Sequence, residues 1–215
     1  MWERYLSAYN RGKQEGFTPV FIPVDDTLTD QFQLNYEDNG DTYRKSLLSA
    51  ELTDGKTYLD NRFADFIKEN KELDCEFDEN EIYGEFSGGE TQLQPYALEN
   101  CKDHKKWILA EIPTKNPWEV FAWITFGGWN ECPDDREIMC AVKYWYEEYN
   151  AVPAVITHDI LELYVPVIIE NRITALEIAE QQYGFCPDIV DQGCGSINRL
   201  ADSLAKSTIW FFWWD

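Results

Sequence analysis

Apolar positions along this chain follow two rhythms, one of two residues and one of three to four, and the change between them marks the elements. Residues 17–24, FTPVFIPV, form a run of β-branched and aromatic residues that predicts a strand. QFQLNY at 31–36 alternates Phe32, Leu34 and Tyr36 on one face and also reads as a strand. Past Gly40 the spacing turns helical, first with Tyr43, Leu47 and Ala50, then with Leu59, Phe63, Phe66 and Ile67. Thr57, with Asp60 three residues on, resembles a capping box that opens the second of these helices. From Leu73 the rhythm returns to two: Leu73, Cys75 and Phe77 would face inward, and Glu72, Asp74, Glu76 and Asp78 outward, a solvated strand face. A calcium loop starting at Asp74 fails, because an EF-hand needs glycine at its sixth position and Glu79 stands there. Looser divalent binding on this acidic stretch stays open. SGGETQLQP at 87–95 has the composition of a mobile connection.

The second half is more sharply patterned. WILAEI (107–112) and WEVFAWITF (118–126) flank PTKNP and read as a hairpin, the second strand apolar on both faces and so covered on both. DDREIMCAVKYWYEEYN spaces Ile138, Val142, Trp145 and Tyr149 as a helix. Strands at 152–158 and 160–167 follow, then helices carrying Ile173, Leu176, Ala179 and Tyr183, and Ile197, Leu200, Ala201 and Leu204, and then TIWFFWWD. The order β-α-β-β-α-α-β predicts an α+β protein whose C-terminal part is a split β-α-β, ferredoxin-like sandwich with an extra helix, preceded by a smaller α+β unit. The expected division is residues 1–100 and 101–215.

Composition makes the chain globular: 215 residues bury roughly 70% of their unfolded surface, and 44% hydrophobic residues with nine Trp exclude the disordered class. Charge changes the picture more. There are 18 basic and 40 acidic residues, a net charge of −22, and each half carries −11 (12 basic and 23 acidic through residue 110, 6 and 17 after it). So negative a surface repels phosphates, which disfavours nucleic acid and favours a basic protein partner or nucleic-acid mimicry; an ordinary soluble protein from an acid-rich proteome fits equally. MWERYLSAYNRGK lacks the apolar segment of a signal peptide, and no run approaches a membrane span, so the expectation is a cytoplasmic protein without membrane contact. The six cysteines form no C-x-x-C pair and are expected to be reduced.

PWEVFAWITFGGWNECP, LELYV, YGFCPDIVDQG and a closing WFFWWD, in this order, resemble the bacterial family known as domain of unknown function 4253, over about residues 107–215. The resemblance implies no activity. His158 departs from it, since the family pattern more often carries a small residue there.

FGGWNECPDD (126–135) reads first as a strand-to-helix turn. Gly127 and Gly128 would supply the backbone angles, Cys132 the N-cap, Pro133 the first helical position, and Asp134 and Asp135 the acidic first turn. The same arrangement would lower the pKa of Cys132, the candidate nucleophile, with His104 or His158 as base, although the two acids oppose this. Cys-Pro-Asp recurs at 186–188. If the copies meet, Cys132, Asp134, Cys186 and Asp188, with Asp191, make a candidate metal cluster; otherwise each thiol is a small buried hydrophobe and each Asp caps a turn. Asn130, Asp188, Asp191 and Gln192 would line a binding pocket walled by Trp129, Trp213 and Trp214, or else staple loops.

P-loop, G-x-G-x-x-G, G-x-S-x-G and H-E-x-x-H signatures are all missing. The reading is therefore a non-enzymatic, acidic protein-binding module without a cofactor, for example an immunity protein that neutralises a toxin. The alternative is an enzyme or metal-binding protein built from GGWNECPD and FCPDIVDQ. A third possibility puts specificity in the first hundred residues.

Overall fold

The computed structural model describes residues 1–24, 26–73, 78–100 and 106–215. It is an α+β structure with one five-stranded sheet, in the order β2-β1-β3-β4-β5. The strands are β1 (Thr18–Pro23), β2 (Trp107–Ile112), β3 (Val152–Ile156), β4 (Ile160–Tyr164) and β5 (Ile209–Trp213). Only the β1–β3 pair is parallel among these neighbours; β1–β2, β3–β4 and β4–β5 are antiparallel. The expected class therefore holds, with a difference in arrangement: β1, from the first hundred residues, lies between β2 and β3. The side-by-side order thus departs from a four-stranded ferredoxin-like sandwich.

Side chains alternate across this sheet except at the register shift of β3, where Ala154 and Val155 both enter the smaller core. Val20 on β1, Leu161 and Leu163 on β4, and Trp210 and Phe212 on β5 join a large core under α3 (Gly55–Leu73), α6 (Asp135–Tyr149), α7 (Arg172–Phe185) and α8 (Ile197–Leu204). Phe21, Val155 and Ile160 face the other way, into a smaller core with Tyr5 and Tyr9 of α1 (Trp2–Glu15). On that face Tyr5 stacks on Trp2 at 4.7 Å, meets Tyr164 edge-on at 6.1 Å, and donates its hydroxyl to Pro153 O at 2.9 Å. Trp145 of α6 centres the larger core, 5.2 Å from Phe185, 5.4 Å from Phe212 and 5.9 Å from Trp210.

Four expectations are corrected. QFQLNY lies within α2 (Asp26–Ser49), a helix of 24 residues; six alternating residues do not separate strand from helix, and with no proline the helix runs through. WEVFAWITF is not a strand: Pro117–Ala122 is a 3-10 helix with Pro at its start. Its apolar residues on both sides, Val120, Phe121 and Ala122, are buried in the larger core. The helix α3 is opened by Asp54, which accepts from Thr57 N–H at 2.8 Å, so Asp54 rather than Thr57 serves as cap. Glu72 and Leu73 close that helix, with Leu73 88% exposed, while Cys75 and Phe77 lie outside the described residues. Asp78 caps the short helix α4 (Glu79–Tyr83). Among the described residues no helix is long and apolar enough to cross a membrane.

The stretch 87–95, expected to be mobile, is a strap fastened along α8 and β5. Gly89 N–H donates to Asp202 at 2.9 Å, Glu90 N–H to Ser203 Oγ at 2.9 Å and Gln92 N–H to Ser207 Oγ at 2.8 Å. Thr208 and Ile209 donate their N–H groups to Gln92 O. The strap then enters the short helix α5 (Tyr96–Asn100), where Glu162 of β4 takes hold of it. This carboxylate is fully buried and accepts from Tyr96 N–H at 2.6 Å, Ala97 N–H at 3.1 Å and Gln92 Nε2 at 3.1 Å. Glycine and serine made the segment look loose, and its main-chain groups found partners more than a hundred residues away.

Burial pushes the pKa of Glu162 up to about 8, against the pull of the Ala97 and Tyr96 hydrogen bonds. Between the ordinary glutamate range of about 4.3 and 8 the folded chain keeps a proton that the unfolded chain has released. The stability present below that window is therefore lost as pH rises through it. The midpoint of thermal unfolding is expected to fall by about 5 °C or more between about pH 5 and pH 8.5. Glu162→Gln should remove most of the slope above about pH 6, as scanning calorimetry across pH would record.

Candidate functional site

The stretch FGGWNECPDD joins the 3-10 helix to α6, and its geometry differs from the expected turn by two residues. Asp134 is the N-cap of α6 and forms a capping box with Glu137: Glu137 N–H donates to Asp134 Oδ1 at 2.9 Å and Asp134 N–H to Glu137 Oε2 at 3.0 Å. Cys132 therefore lies two residues before the cap, outside the reach that would make it the helix's own N-cap. The two glycines serve different needs. Gly128 has φ +87°, whereas a Cβ on Gly127 would lie 1.8 Å from Pro133 O. Beneath the loop, Asp135 is 4% exposed and accepts from Phe126 N–H at 2.7 Å, Gly127 N–H at 3.3 Å and the Tyr43 hydroxyl at 2.9 Å. Burial lifts its pKa to about 6, with those donors opposing.

The loops that carry the two Cys-Pro-Asp triplets converge on Asp215, through Asn130 from the first and Asp188 from the second. Asn130 Nδ2 donates to Asp215 O at 2.6 Å, and Asp215 N–H donates to Asp188 Oδ2 at 3.0 Å. Asp188 Oδ1 accepts from Gln192 Nε2 at 2.9 Å, and Asp191 accepts from the Tyr183 hydroxyl at 2.6 Å. Cys186 donates its thiol to Trp213 O at 3.0 Å. Both thiols are buried, and burial pushes both pKa values well up, that of Cys132 with Asp135 adding to it and that of Cys186 with Asp188 and Cys132 itself adding. Such thiols stay protonated at neutral pH and are poor nucleophiles. Asp134 is held in its capping box with Glu137. Among the described residues no three of His, Cys, Asp and Glu are grouped to hold a metal ion.

Trp129 donates its ring N–H to Phe126 O at 3.0 Å. Trp214 is 1% exposed and lies between Phe126, at 5.5 Å, and Phe185, at 5.7 Å, within the core. His158 sits in the β3–β4 turn, 3.5 Å from Asp159, and His104 lies outside the described residues. Asp159 was not singled out in the sequence, yet it accepts from the Trp213 ring N–H at 3.2 Å and its carbonyl from Trp214 N–H at 3.2 Å. These polar groups form a clasp around the end of β5.

Beside the clasp lies a cavity of about 660 Å³, bounded by the strap, β5, α8 and the helical turn Ile189–Cys194. Of the expected site residues, Asp188 and the wall residue Trp213 reach its lining. Its apolar wall comes from Ile189, Leu200, Leu204, Phe211 and Trp213. Gln182 is wholly buried in this wall, and neither its amide nitrogen nor its amide oxygen has a partner among the described residues. The ring N–H of Trp210, also in the lining, is likewise unpartnered there. A signal was present in the sequence: Gln181 and Gln182 interrupt the buried face of α7 directly before Tyr183. Gln181 is explained by its bonds to Asp60 and Trp145.

These features define an α+β domain whose closing aromatic strand is clasped at one end and bordered by an open cavity. The chain belongs to the family of the domain of unknown function DUF4253, which matches residues 108–215. No curated protein and no solved structure matches it.

Asp135 gives the turn its testable weight. Asp135→Ala leaves two main-chain donors and a phenol without their acceptor, a cost of about 3 kcal/mol. Asp135→Asn keeps Oδ1 for both main-chain donors and offers Tyr43 an N–H, so it is expected to cost under about 1 kcal/mol. Urea unfolding of the two variants measures the difference.

Proposed function

We propose that this chain is a binding protein that takes a basic protein partner at the cavity beside β5, and that its thiols and carboxylates serve to hold that strand. The observation that carries the reading is Gln182. A fully buried carboxamide with both ends free costs a folded chain stability and is tolerated where a ligand completes it. The surrounding space has the size and the mainly apolar lining of a recognition site. A net charge of −22, with Glu90 and Asp188 in the cavity wall, favours a cationic partner. A protein that neutralises a basic toxin in the cytoplasm is the concrete case.

Photo-cross-linking in the native host tests the reading. A photoreactive residue replaces either Leu93, 55% exposed at the strap, or Ile108, 50% exposed on β2 at the opposite edge of the sheet. Position 93 is expected to give one cross-linked species of defined mass, which does not form when a host lysate is brought to about 0.5 M salt before irradiation, and position 108 none. Equal yields at both positions, or no cross-link at 93, would overturn it.

A further inference from the structure

Among the described residues the sheet ends at β5, which has a strand neighbour on one side only. In an antiparallel ladder one residue turns both main-chain groups to its partner and the next turns both away. Val165 N–H donates to Thr208 O, and Trp214 N–H to Asp159 O, which sets the even-numbered residues of this strand facing β4. Ile209, Phe211 and Trp213 therefore turn their main-chain groups to the open edge. The ends of that edge are occupied: Ile209 N–H donates to Gln92 O at 3.2 Å, and Trp213 O accepts the Cys186 thiol at 3.0 Å. Between them the N–H and C=O of Phe211, the C=O of Ile209 and the N–H of Trp213 have no partner among the described residues. All three residues line the cavity, together with Gln182.

We propose that the cavity takes an extended polypeptide segment that adds to the sheet as a short strand against Phe211, with the Gln182 carboxamide completing its hydrogen bonds. The proposal rests on the binding reading above. What favours a polypeptide over a compact small molecule is the repeat of the free groups: donor and acceptor recur at the two-residue period of an extended backbone, which supplies matching groups at the same spacing. From Ile209 to Trp213 the free edge runs about 13 Å, enough to pair about three residues. Proline is excluded where the segment must donate to the edge. Its side chains are expected to alternate apolar and basic. The apolar ones meet Leu200, Leu204 and Ile189, and the basic ones meet Glu90 and Asp188. Arg199, the cation in the lining, is already engaged by Gly88 O at 2.8 Å.

The test selects a display library of random peptides of about ten residues on the immobilised full chain. Each enriched peptide is then compared with a copy N-methylated at alternate amides and a copy in which Lys and Arg become Glu. The expected result is enrichment of basic, proline-poor peptides. Both copies should bind at least about tenfold more weakly, and the Phe211 amide should be protected from hydrogen exchange in the complex. Gln182→Met, which keeps the volume and removes the carboxamide, should weaken binding about tenfold. Because N-methylation alters only the peptide, the result does not depend on a variant folding. Peptides that tolerate N-methylation, or that leave the Phe211 amide exchanging freely, overturn strand addition. An empty selection alongside a cross-link at position 93 overturns it while the binding reading stands; an empty selection with no cross-link removes both.

Discussion

Three residues of the closing segment, Trp210, Phe212 and Trp214, are almost entirely withdrawn from water, and most of the larger core is arranged so that they can be. Each buries on the order of 200 Å², or about 5 kcal/mol before ordering entropy is subtracted. Trp145 and Phe185 meet them edge-on and stacked at centroid distances between 5.4 and 5.9 Å. Those contacts fix where α6 and α7 lie on the sheet. Because β5 is an edge strand, half of its main-chain groups receive nothing from β4, and the surrounding loops are shaped by which of those groups they satisfy.

That constraint accounts for the chemistry-bearing motifs. Cys186 spends its proton on Trp213 O, Asp188 spends an oxygen on Asp215 N–H, and Asn130 spends its amide on Asp215 O. The burial that makes the aromatic cluster stable also holds the Cys132 and Cys186 thiols in their neutral form. A thiol beside a helix start looks reactive in sequence. Burial first, with the neighbouring carboxylate of Asp135 adding to it, pushes the Cys132 pKa the other way, and Cys132 stands two residues before the cap.

Much of the fold was legible because one rule governed it. The helices holding Trp145 and Leu200 each bury one consistent face, so their periodicity survives, while the strand at 17–24, buried on both faces, shows as a run of β-branched and aromatic residues. WEVFAWITF misled because apolar groups on both sides of a strand and of a buried 3-10 turn leave the same pattern. QFQLNY misled because two turns of helix and six residues of strand overlap in what they require. The site was half legible. Repetition of Cys-Pro-Asp pointed to a place where two loops converge, and they do converge, but on a main-chain group at Asp215 that carries no mark in the sequence. The cavity was missed because what makes it distinctive is an absence, the missing partners of Gln182, and only packing determines that.

The division of labour around the cavity follows the family boundary. Every hydrogen bond that fastens residues 88–92 to α8 and the turn after it engages the strap's main chain, through Arg199, Asp202, Ser203, Lys206 and Ser207. All five anchors lie inside residues 108–215, and the strap lies outside them. Anchoring by main chain leaves the Glu90 side chain unconstrained by the attachment, whereas that of Gln92 is tied to Glu162, and both, with Tyr96, reach the cavity. The matched region thus supplies the edge, the buried carboxamide and the anchors, while the adjoining segment supplies a wall in which the Glu90 side chain takes no part in holding the strap. On the binding reading proposed above, the groups that hold β5 are largely separate from those that would meet a partner.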